Sequence, residues 1–108
     1  MYQPQPLPFK QPLKGISEKT ITIHHDKLYV GYVNKKNEIE EKLAKVDLAS
    51  SNQTYSDLRA LKDGESFAIN GTYLHENYFG ILGGEGAAQG EIVKQIEKDF
   101  GSYEKWEA

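Results

Sequence analysis

All four prolines of the chain fall within its first twelve residues, MYQPQPLPFKQP, and none follows. Proline lacks the backbone N–H and clashes with the preceding helical turn, so this stretch is extended and the rest of the chain is left open to long helices. Tyr2, Leu7 and Phe9 give the stretch apolar anchors. Residues 1–16 are therefore expected to be an arm that lies across a surface, ending at Gly15.

Ser17 then reads as an N-cap, with Glu18 placed against the positive end of a helix dipole. The first helix should carry an apolar stripe of Ile21, His24, Leu28, Tyr32, Ile39, Leu43 and Val46, interrupted at Lys35. DLASSNQTYSD is rich in turn formers and reads as a loop, with a short helix at 55–61 before a turn at KDGE. SFAINGTYLHENYFGIL should form the second long helix, with Phe67, Gly71, Leu74, His75, Tyr78 and Leu82 on one face. Gly71 costs a helix interior about 1 kcal/mol relative to Ala, which points to close packing or a ligand beside it. GGEGAAQG closes this helix and makes a flexible connector. A third helix, EIVKQIEKDF, aligns Ile92, Val93, Ile96 and Phe100 before Gly101 stops it. Ser102 caps the start of a fourth, YEKWEA, whose Tyr103 and Trp106 form an apolar pair; the alternative is a frayed polar tail. The expected fold class is all-α: an antiparallel hairpin of two long helices, a third helix and the start of a fourth.

Composition narrows the function. The 108 residues carry 13 basic and 16 acidic side chains, for a net charge of −3, and the charges are mixed. This offers no basic stripe to nucleic acid and no polybasic run to an anionic membrane. No apolar run approaches the ~20 residues that span a bilayer, and the start lacks an apolar signal core, so the chain is read as cytoplasmic. With no cysteine, any metal must be held by nitrogen and oxygen. The nitrogen donors are His24, His25 and His75.

His24 and His75 lie on the buried stripes of the two long helices, so an antiparallel hairpin turns both toward its seam. One imidazole from each helix is a common beginning for a transition-metal site, and the alternative is a pair of hydrogen-bonded core histidines. His25 points about 100° away round the helix and should serve the surface or an interface; Asp26 and Glu76 also fall on other faces. Tyr32 follows His24 by eight residues and leans back toward it, either to hydrogen-bond something bound there or as an amphipathic tyrosine with its hydroxyl in water.

Several motifs, in order and at matching spacing, resemble the N-terminal half of the iron/manganese superoxide dismutases. LPFK looks like the family's opening. HHDKLYVGYVNKKN resembles its first-helix motif, where a histidine pair precedes a tyrosine and an asparagine, here Tyr32 and Asn34. LHENYFGIL resembles the second-helix motif. GGEGAAQGEIVKQIEKDFGSYEKWEA is similar to the connector and the start of the family's second domain. The resemblance divides the chain into arm 1–16, metal-ligand hairpin 17–82, connector 83–90 and the start of a second domain at 91–108.

The resemblance implies that His24 and His75 are ligands of a mononuclear Fe or Mn ion, that Tyr32 is the gate on the substrate funnel, and that Leu28, Gly71 and Phe79 line the pocket. Phe79 stands where the family usually has an aromatic, often tryptophan. Leu28 replaces a histidine of the common motif, and Leu74 replaces the asparagine before the second ligand; both imply an altered proton network in a divergent bacterial branch. The family's remaining ligands, an aspartate and a histidine, have no counterpart here, nor does its active-site glutamine, since Gly71 holds the iron-type position. The expected function is the N-terminal half of a superoxide dismutase, disproportionating superoxide once a C-terminal half from the same gene or a separate chain completes the site; the isolated residues should be inactive. The rival reading is a non-enzymatic helical hairpin that homo-oligomerises, with two copies of His24 and His75 forming a four-histidine zinc site. A third is an interaction module that binds no metal. In each case, exposed apolar stripes should favour an oligomer.

Overall fold

The computed structural model describes residues Met1 to Ala108 and is helical, with no strand. Ser17 caps α1 (Glu18–Thr22) by accepting from the Thr20 N–H at 3.1 Å. The helix then widens into a π segment (Ile23–Tyr29) and returns to α geometry as α2 (Val30–Leu43). A short 3₁₀ turn (Leu48–Ser50) leads to α3 (Asp57–Gly80), capped by Ser56. α3 runs back against α2 to make the hairpin. Two shorter helices complete the chain, α4 (Glu91–Phe100) and α5 (Tyr103–Glu107). No helix is long and apolar enough to cross a membrane.

Three expectations are corrected. The first long helix is not uniformly α: the i→i+5 bonds of the π segment take up about one extra residue. The buried line accordingly shifts from Leu28, which is 53% exposed, to Tyr29 at 1% and Val33 at 0%. KDGE is not a turn, because Lys62 to Glu65 lie inside a continuous 24-residue α3. Gly64 is there for packing: a Cβ at that position would sit 3.3 Å from Ile39 Cδ1, so the helices approach closely. The buried face of α3 is also displaced, with Ala68, Thr72 and Phe79 inside while Phe67 and Leu74 are 70% and 66% exposed.

The core gathers on Tyr29, Val33 and Phe79, with Tyr2, Leu7, Val30 and Leu82 packed around it. Two of those residues belong to the arm, which is therefore part of the fold. Asn37 fixes the arm's start from both sides: its Oδ1 accepts the Tyr2 N–H at 2.9 Å, and its Nδ2 donates to the Tyr2 carbonyl at 2.8 Å. An extended arm has no internal partner for its backbone groups, so buried side chains must supply them. The nearly buried Lys36 pairs with Glu40 at 2.6 Å and stands 5.1 Å over the Tyr2 ring. Farther along, Phe9 rests on Gly83, whose positive φ of 80° turns the chain away from α3.

Candidate metal centre

The π segment carries His24 and α3 carries His75, and the hairpin brings their rings edge to face with centroids 4.9 Å apart. Phe79 and Tyr78 pack against His24 at 5.1 and 5.2 Å. Burial, and then the neighbouring His75, hold the His24 pKa below the usual histidine value, which favours the neutral ring that ligates metals. His75 Nδ1 lies 2.6 Å from the Gly71 carbonyl oxygen. A carbonyl only accepts, so Nδ1 carries the proton and the lone pair sits on Nε2. This is how a ligating histidine is normally oriented and its tautomer fixed.

Tyr32 lies 5.2 Å from His75 and 5.8 Å from Phe67, ring centroid to ring centroid. Its ring occupies the space that a side chain at position 71 would need. A Cβ on Gly71 would stand 2.7 Å from Tyr32 Cγ and closer to two other ring carbons. The glycine is thus explained by close packing, one of the two readings its helical position left open. Leu28 lies beside Tyr32 in an open groove of about 520 Å³, lined also by Gly31, Gly64 and Phe67, with Lys27 and Lys35 at its edge. The structure therefore brings together His24, His75, Tyr32, Gly71 and Phe79, and leaves Leu28 on the solvent side.

Two residues expected on other faces have different surroundings from those their positions suggest. His25 is not free on the surface; its side chain is 13% exposed, with Nε2 2.8 Å from the Gln5 carbonyl and Nδ1 2.7 Å from Asp26. Glu76 points to the arm, where its Oε1 accepts from the hydroxyls of Tyr29 at 2.7 Å and Tyr2 at 2.8 Å. Tyr29 lies outside the expected stripe altogether. The available signal is the arm itself, whose backbone polar groups need partners on the hairpin.

No group of three or more His, Asp or Glu side chains converges anywhere in the structure. The donor set at the seam is two imidazoles, which suits Fe, Mn, Zn or Cu and leaves further positions to be filled. Residues 2–83 match the family model described as iron/manganese superoxide dismutases, alpha-hairpin domain. The chain belongs to the iron/manganese superoxide dismutase family.

Its relatives include the superoxide dismutase [Fe] of Aquifex aeolicus, 47% identical over an alignment of 96 residues that covers 84% of this chain and 45% of that protein. The superoxide dismutase [Fe] of Cupriavidus metallidurans is 40% identical over all of this chain and 54% of its own. The superoxide dismutase [Mn] of Haloarcula marismortui is 37% identical over 84% of this chain and 44% of its own. The chain spans about half the length of the curated relatives it matches.

Proposed function

We propose that these residues are the N-terminal half of a superoxide dismutase, in which His24 and His75 hold an Fe or Mn ion with ligands supplied from outside residues 1–108. The observation that carries this is the facing pair of imidazoles, with His75 tied at Nδ1 and open at Nε2. Relatives are named for iron and for manganese alike, so they support the metal class without choosing within it. A metal held by His24 and His75 would supply the one-electron couple that disproportionation of superoxide needs. Phe79, 2% exposed, keeps water from the inner side of the histidines. Tyr32 touches both His75 and the solvent groove, so its phenol stands where an entering anion and its protons would pass. Lys27, which lines the groove, favours an anionic substrate, whereas Lys35 beside it is paired with Glu38.

The test is co-expression of residues 1–108 with the C-terminal half of the Aquifex aeolicus relative, with bound Fe and Mn and superoxide dismutation then measured. The complex should bind metal and be active, and His75→Ala should remove both. Tyr32→Phe should leave metal content intact and lower turnover. Full dismutation by the metal-loaded 108-residue chain alone would refute the proposal that half of the ligand set lies elsewhere.

A further inference from the structure

Glu76 directly follows His75 in α3, and one of its carboxyl oxygens accepts two tyrosine hydroxyls. One belongs to Tyr29, the last residue of the π segment that carries His24. The other belongs to Tyr2 in the arm. The Tyr29 oxygen also accepts the Gln5 N–H at 2.8 Å, and the Gln5 carbonyl is bonded to His25, the neighbour of His24. Arm, π segment and α3 thus meet at a single carboxyl group. The packing of Tyr29 and His24 on Phe79 already joins the π segment to α3 at this end, and the carboxyl group adds directional bonds to that packing. Tyr29 is almost inaccessible, so breaking its bond to the part-buried carboxyl group would leave its hydroxyl without water, and this fixes the geometry of that bond.

We propose that Glu76 is a positioning residue: by joining Tyr29 and Tyr2 to α3, it sets the separation of His24 and His75. This rests on reading those two histidines as ligands, although the positioning can be measured without metal. In the metal-free 108-residue chain, the imidazole protons of His24 and His75 should show a proton–proton cross-peak by NMR. Glu76→Leu should abolish it while the far-UV helical signal persists. Glu76→Gln, whose side-chain carbonyl still accepts hydroxyls, should restore it. Zn²⁺ titration monitored on the same imidazole resonances should show binding weakened about 10-fold in Glu76→Leu, the lower end of what loss of a ligand-supporting partner costs. Ile39→Ala, which loosens the hairpin far from the histidines, should keep the cross-peak.

If Glu76→Leu does not fold, the Tyr2→Phe/Tyr29→Phe double variant removes both hydroxyls and should lose the cross-peak in its place. A cross-peak that survives in whichever variant folds, or that Ile39→Ala loses equally, overturns the proposal. A cross-peak that responds as expected in a chain whose complex with the C-terminal half of the Aquifex aeolicus relative binds no metal would instead refute the ligand reading and leave the positioning intact.

Discussion

Tyr29 donates to Glu76, accepts from the Gln5 N–H and is 1% exposed, so its phenol is held in its neutral form. Burial raises its pKa from 10.0 to about 12; the Gln5 bond works against that, and the Glu76 bond adds to it. A group bound more tightly to its proton in the folded state contributes stability that is complete below its unfolded pKa and is lost as pH rises through the folded one. Between pH 10.0 and about 12 the chain should therefore lose stability, and Tyr29→Phe should flatten that loss. Phenolate absorbance checks the order of titration: Tyr29 should ionise after the exposed tyrosines or together with unfolding. Gly71 makes a second residue-scale case. Alanine is favoured over glycine in a helix by about 1 kcal/mol, but its Cβ would enter the Tyr32 ring. Overpacking of this kind costs about 1–3 kcal/mol, so Gly71→Ala should lower stability to urea despite the better helix propensity. In a Tyr32→Ala background the same substitution should become stabilising by about 1 kcal/mol. If its sign does not change between the two backgrounds, the ring is not what requires the glycine.

At the scale of elements, the sequence makes legible those features that near neighbours decide. The proline arm, the caps at Ser17 and Ser102 and the stop at Gly101 all depend on a few adjacent residues, and each is present. That the two histidines meet is also legible from a hairpin of two long helices, although the apolar stripes assigned to them are displaced at Leu28, Phe67 and Leu74. Features decided by contact between distant segments are not. The π segment has no composition of its own; its wider turn moves Tyr29 inward and Leu28 outward, so a strict 3.6-residue period misplaces both. Gly64 resembles a turn residue until Ile39 is seen beside it. The Tyr2–Glu76 bond closes across 74 residues, and no local pattern records where the arm will lie. Helical periodicity therefore puts Glu76 on an idle face, although it ties both the arm and the π segment to α3.

The molecule as a whole measures 59 × 34 × 20 Å, with a radius of gyration of 19.9 Å. A compact chain of this length would have a radius near about 13 Å, so part of it stands away from the rest. That part is α4 and α5, which pack on each other and bury no residue. Ile92 is 63% exposed, and Phe100 and Trp106 are also exposed. Two consequences separate cleanly. Because the core lies in the arm and hairpin, removing residues 91–108 should change hairpin stability by no more than about 0.5 kcal/mol, the range of surface changes that touch no core. Because the same residues present an apolar stripe to water, their removal should reduce self-association measured by sedimentation velocity. Urea denaturation of residues 1–90 beside the full chain checks the first expectation. A large loss of stability there would mean that α4 and α5 support the hairpin, and that the two histidines depend on the C-terminal helices as well as on the arm.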